Sequence, residues 1–126
     1  MTVQLNHTIV PARDPQASAQ FLAEILGLSV DPPLAHFTPV TLANQVSLDY
    51  DQLDDFAPHH YAFMVSETEF DEIWGRTRDR GLPFRADPAH RQPDQINTHD
   101  GGRGLYWDDP DGHSLEIITR PYGSGA

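Results

Sequence analysis

The order of elements along this 126-residue chain runs through once and then starts again, and that repetition constrains the fold more than any composition figure. The alternating stretch QLNHTIVPA predicts a first strand over about residues 4–11. Asp14-Pro15 then opens a helix, with Asp14 as N-cap and Pro15 in the first turn, where its missing N–H costs nothing. Phe21, Leu22, Ile25 and Leu26 form one apolar stripe, and Gly27 ends the helix as a left-handed cap. Three short strands are expected next: near Leu28–Asp31, over 36–43 and over 45–50. HYAFMV (60–65) begins the second round as a strand, followed by the capping box of Ser66 and Glu69 and a helix with Phe70, Ile73 and Trp74 on its inner side. Gly81-Leu82 closes that helix as Gly27-Leu28 closes the first. PFRADP, RGLYWDDP and HSLEIITR supply three further strands, the last two joined by the turn Asp109-Pro110-Asp111-Gly112. His7 and His60 stand 53 positions apart, and Gly27 and Gly81 stand 54 apart. The expectation is an α+β fold of two βαβββ modules in one domain, module one over about 4–51 and module two over about 59–121, with no linker between them. Residues 87–104, rich in Pro, Asp, Asn and Gly, read as a lid or binding loop, and the tail from Gly123 onward as frayed.

Charge and composition exclude several classes. With 19 acidic and 8 basic residues the net charge is −11, which repels a phosphate backbone, so a nucleic-acid partner is not expected. The same field attracts a cationic small molecule, although the acidic run DYDQLDD (49–55) reads first as a solvated loop. No apolar run approaches a membrane span, and the N-terminus lacks the pattern of a signal peptide; a cytoplasmic location away from membranes is the default expectation. The absence of cysteine removes disulfides, thiolate metal sites and a cysteine nucleophile.

One carboxylate raises the chemical question. Glu116 sits between Leu115 and Ile117 within HSLEIITR, and a charge withdrawn from water is costly unless something pairs it. Residues of equal parity share a strand face, so His7 lies with Leu5 and Ile9, His60 with Ala62 and Met64, and Glu116 with Ile118. Taken singly, a strand His reads as a hydrogen-bonded core residue and a strand Glu as a solvent-facing one. Taken together, two imidazoles and a carboxylate at matching places of a doubled module form a donor set for a divalent metal with open positions. The ligand types favour Fe(II), Mn(II), Zn(II) or Ni(II) over Mg(II) and do not choose among them.

LNHTIVPARDP, HYAFMV and LYWDDPDGHSLEI closely resemble the vicinal oxygen chelate superfamily, which includes glyoxalase I, extradiol dioxygenases, fosfomycin-resistance thiol transferases and bleomycin-resistance proteins. The resemblance spans residues 4–121 and implies paired modules curled around a cup. It implies metal ligands on the first, fifth and last strands, slots filled here by His7, His60 and Glu116. In members of this length a second subunit commonly completes the cup, so a homodimer is implied, with His7 joining ligands of a partner, and a small molecule as substrate. Residues 97–116, NTHDGGRGLYWDDPDGHSLE, resemble the extradiol ring-cleavage signature, which would make His99 and Tyr106 the proton-handling catalytic pair beside Glu116. The acid–base His such enzymes carry before the second ligand is absent near Gln45–Ser47. Lyase or thiol-transferase chemistry of the glyoxalase or fosfomycin-resistance kind is the alternative, although INTHDGGRG replaces the serine-bearing loop of the transferases. A metal-free drug-binding dimer of the bleomycin-resistance kind is the remaining reading. Arg103 and Arg120 flank the last two strands, either solvated or orienting an anionic substrate.

Overall fold

A computed structural model of the chain describes residues 2–125. The chain divides into two compact units, one running to Ala57 and the other beginning at Pro58.

In the first unit, β1 (His7–Ala12), α1 (Pro15–Leu26), β2 (Thr38–Thr41) and β3 (Ser47–Gln52) form a three-stranded sheet in the order β1-β3-β2, with β1 parallel and β2 antiparallel to β3. The helix is set by local chemistry. The Asp14 carboxylate accepts from Ala17 N–H, proline occupies the first turn, and Gly27 at φ 75° ends the helix in the left-handed region. Ala19, Leu22, Ala23 and Ile25 are buried on α1, as are Val10, Val40, Leu48 and Tyr50 on the strands, whose shared parity puts them on one face. The strand expected near Leu28–Asp31 does not form. Asp31 N–H reaches Pro39 O at 2.9 Å, but Pro32 and Pro33 follow it and have no N–H to extend a ladder. Module one is therefore one strand short of module two.

In the second unit, β4 (His60–Met64), α2 (Glu67–Asp79), β5 (Phe84–Arg85), β6 (Gly104–Asp108) and β7 (Ser114–Ile118) complete the βαβββ order. The sheet order is β4-β7-β6-β5, with β4 parallel to β7 and the other pairs antiparallel. The capping box forms as predicted: Ser66 Oγ accepts from Glu69 N–H at 3.1 Å, and the Glu69 carboxylate accepts from Ser66 N–H at 2.9 Å. Leu105, Trp107, Leu115 and Ile117 are at most 1% exposed and, with Phe63, cover one face of this sheet; Phe70 and Ile73 of α2 are buried as well. The opposite face carries His60 and Ala62, then Ser114 and Glu116, then Tyr106, in register across three strands.

Gly123 and Gly125 are held rather than frayed as expected, and Ala126 lies outside the described residues. Both Asp100 carboxylate oxygens accept tail amides, from Gly123 at 3.0 Å and from Gly125 at 3.1 Å. The long loop is also internally bonded: the Asp87 carboxylate accepts from the N–H groups of Arg91 and Gln92, and Asn97 exchanges two backbone hydrogen bonds with Gly104. No helix among the described residues is long and apolar enough to cross a membrane.

Candidate metal centre

Register explains why His60 and Glu116 meet. Ala62 pairs with Glu116 and His60 with Ser114 on parallel strands, so the two side chains are diagonal neighbours on one face. His60 Nε2 lies 3.0 Å from Glu116 Oε1, and His60 Nδ1 lies 3.0 Å from the Ser114 carbonyl oxygen. Glu116 is 2% exposed, whereas the His60 side chain is 49% exposed, so the pair is buried on one side and open on the other.

The imidazole's hydrogen bonding is informative. A carbonyl oxygen only accepts, so Nδ1 must donate to Ser114, and a neutral ring then has a bare lone pair at Nε2. That lone pair faces Oε1 of the Glu116 carboxylate, an acceptor as well. Two acceptors 3.0 Å apart need a positive charge between them, either a proton or a metal cation. A backbone carbonyl fixing the tautomer from behind is the usual support of a metal-binding histidine.

Tyr106 lies directly opposite Glu116 in the β6–β7 register, and its ring stacks with His60 at a centroid distance of 5.9 Å and 22° between planes. Burial, then hydrogen bonding to Tyr122 and Glu116, holds the Tyr106 phenol far above the ordinary tyrosine range. The hydroxyl of Tyr122, a residue the sequence reading did not single out, donates to Glu116 Oε2. Burial first, and then that hydrogen bond, raises the Tyr122 phenol too. His99 begins a single 3-10 turn (His99–Gly101), and its ring stands edge-on to Tyr122 with centroids 6.0 Å apart. Asn97 is buried and donates to Ala86 O at 2.9 Å. A Cβ at Gly104 would lie 2.6 Å from its amide nitrogen, so glycine is what lets β6 pass so close.

Of the residues singled out from sequence, His60, Tyr106, His99 and Glu116 thus fall in one neighbourhood of the second unit. His7 belongs to the first unit, exposed on β1 with Nδ1 2.7 Å from Asn6 Oδ1. Among the described residues, no three His, Asp or Glu side chains gather into a metal-holding group. Arg103 is committed elsewhere: it bonds Glu67 and Asp71 at 2.8 Å each and lies 4.3 Å over the Phe70 ring, tying β6 to α2 rather than facing a substrate. Sequence reasoning also missed His113, which is fully buried and accepts from His59 N–H at 2.8 Å.

Tyr61, on the face away from Glu116, gives a pH prediction. Burial, then the charge of Asp109, pushes its phenol from 10.0 up to about 12. The unfolded chain releases that proton at the lower pH, so this contribution to stability is complete below about pH 10 and is lost as pH rises toward 12. Urea midpoints measured at rising alkaline pH should fall over this window, and Tyr61→Phe should flatten the decline. An equal slope in the variant would rule Tyr61 out as the cause.

Two related modules, each with a mixed sheet, and a histidine–carboxylate pair on the open face of the second module's sheet define the class: a small α+β domain built on βαβββ modules. The match to the Glyoxalase/Bleomycin resistance protein/Dioxygenase superfamily model extends over residues 4–117, and the chain belongs to that superfamily. Among solved structures, the chain is similar to Oxidase ChaP-H2 at 61% identity over 100% of both chains with a TM-score of 0.97. It is similar to Oxidase ChaP-H1 at 60% identity, covering 97% of this chain and 99% of that one, with a TM-score of 0.94. A curated relative, Glutathione transferase FosA of Serratia marcescens, is 29% identical over 93% of this chain and 81% of its own length.

Proposed function

We propose that the chain is a divalent-metal-dependent enzyme that performs oxidative chemistry of the extradiol-dioxygenase kind on a small oxygenated substrate. The observation that carries this reading is the facing pair: His60 Nε2 and an oxygen of the 98%-buried Glu116 carboxylate 3.0 Å apart, a nitrogen and an oxygen donor that one divalent cation can share in place of a proton. His60 and Glu116 would hold the metal. A bound Fe(II), Mn(II), Zn(II) or Ni(II) supplies Lewis acidity to a substrate chelating through two adjacent oxygens. Tyr106, its phenol kept protonated, donates a hydrogen bond to negative charge developing on the substrate. His99 serves as the acid–base group on the neighbouring loop. The 61% identity to a protein named an oxidase favours oxidative chemistry, while the FosA relative keeps a thiol-transferase reading in second place.

His7 enters as the third ligand from a second copy of the chain. β1 ends its sheet, and Leu5 and Ile9, on the parity of His7, are 66% and 45% exposed, an apolar face suited to a homodimer.

Elemental analysis of freshly purified protein, followed by reconstitution and a screen against catechols, fosfomycin with thiols and a methylglyoxal–glutathione adduct, tests the proposal. One cation per chain and turnover of a catechol with oxygen uptake are expected. Protein that retains none of the four metals above background would instead fit a metal-free binder and end the enzyme reading.

A further inference from the structure

We propose that the C-terminal strap, residues 121–125, is a working part of this site, with Tyr122 as the residue that positions the Glu116 carboxylate; the inference rests on the reading of Glu116 and His60 as metal ligands. The two oxygens of Glu116 have different partners. Oε1 faces His60 Nε2, and Oε2 accepts the Tyr122 hydroxyl. With the phenol on Oε2, Oε1 is the oxygen turned toward the imidazole, so Tyr122 fixes the rotation of Glu116 and would bias it toward holding a cation through Oε1 alone.

Tyr122 has no strand to hold it there, because β7 ends at Ile118 and Pro121 precedes it. Its delivery depends on Asp100. That residue takes φ 57°, a left-handed conformation that Asp tolerates better than most residues, and its two carboxylate oxygens grip the amides of Gly123 and Gly125. The gripping turn is itself fastened to the end of β7: Arg103 N–H donates to Thr119 Oγ1 at 2.8 Å and Thr119 N–H to Arg103 O at 3.0 Å. A Cβ at Gly102 would lie 2.7 Å from Thr119 Oγ1, so the two segments are in close contact. Tyr122 is 45% exposed, so it covers the site from outside the core. A Gly-Ser-Gly tail has conformational freedom to lose on docking, and placing one phenol on the buried carboxylate is what its ordering achieves.

The experiment uses full-length protein, Co(II) as the probe and two variants, Tyr122→Phe and Asp100→Ala. Co(II) titration followed by visible absorption reports affinity and ligand geometry, and hydrogen exchange of the Gly123 and Gly125 amides in metal-free protein reports the strap. In wild type both amides should be protected, and Asp100→Ala should abolish that protection. Tyr122→Phe should weaken Co(II) binding about tenfold or more and change the absorption bands, because Oε2 is freed for two-oxygen ligation. Asp100→Ala, which keeps the phenol but frees the strap, should shift affinity and bands in the same direction. Asp100→Asn, which tolerates the left-handed turn but keeps only one acceptor oxygen for the two tail amides, replaces Asp100→Ala should that variant fail to fold. Unchanged affinity and bands in Tyr122→Phe, or wild-type tail amides exchanging as in a free peptide, would overturn the role of Tyr122 while leaving the metal centre standing. Wild-type protein that takes up no Co(II) would overturn the metal reading itself, and the inference with it.

Discussion

Glu116→Gln should yield a folded protein that has lost its hold on a divalent cation, with affinity reduced by about two orders of magnitude or more, beyond the 10- to 100-fold typical of an outer-shell change. The reason is charge. Glutamine keeps the shape and one acceptor oxygen but removes the anion that faces His60 Nε2 at 3.0 Å. Stability of the metal-free protein should change by about 1 kcal/mol or less, with either sign. A buried carboxylate costs several kcal/mol to desolvate, and here it is offset by hydrogen bonds to a half-exposed imidazole and a phenol. A position serving only the fold, flanked by Leu115 and Ile117, would be better occupied by another aliphatic residue. Calorimetric metal titration beside urea denaturation checks both halves of the prediction. Wild-type metal stoichiometry and affinity in Glu116→Gln would remove this residue from the centre.

Trp107→Ala should have the largest effect on stability, a loss of about 3–5 kcal/mol in the free energy of unfolding. The side chain is completely buried on the core face of β6, opposite Leu115 in register. Its removal leaves a cavity that the neighbouring strands cannot close without breaking their pairing. Small domains are stable by about 5–15 kcal/mol in all, so this single truncation takes a large share. Trp107→Phe should cost less than half as much. It keeps an aromatic ring in place and removes the indole N–H, which is buried without a hydrogen-bond partner and carries a desolvation penalty of about 1–3 kcal/mol. Urea denaturation of the two variants orders them, and the reverse order would show that ring volume is not what this position contributes.

The parts of the molecule legible in the sequence are those set by neighbours in the chain. Asp14 with Pro15, Gly27, and the Ser66–Glu69 box fix both helices through contacts three or four residues long, and each forms as its spacing predicts. Strand parity is equally local and sets His60 with Ala62 and Glu116 with Ile118, but that these faces and that of Tyr106 form one surface follows from the register between strands, which parity within a strand does not supply. What sequence could not supply is the response to distant partners. Leu28–Asp31 has apolar character suited to a strand, but the prolines that follow deny it a continuing ladder. Tyr122 lies outside every periodic stretch, and its place is set by partners distant in the chain: Glu116 at its hydroxyl, the His99 ring, and Asp100, 22 positions upstream, through the amides that follow it. Arg103 offered a cation near the last strands without disclosing that Glu67 and Asp71 already hold it.

The exposed apolar residues beside and on β1 bear on how the protein behaves in dilute solution. Leu5 and Ile9, exposed apolar side chains on and beside the strand that ends this sheet, form a patch against which another chain can pack. Where the added chain is a correctly oriented twin, mass action makes the melting temperature climb with protein concentration. Where it is a misaligned one, the same surface seeds precipitation, so thermal resistance and shelf life become properties of the preparation as much as of the polypeptide.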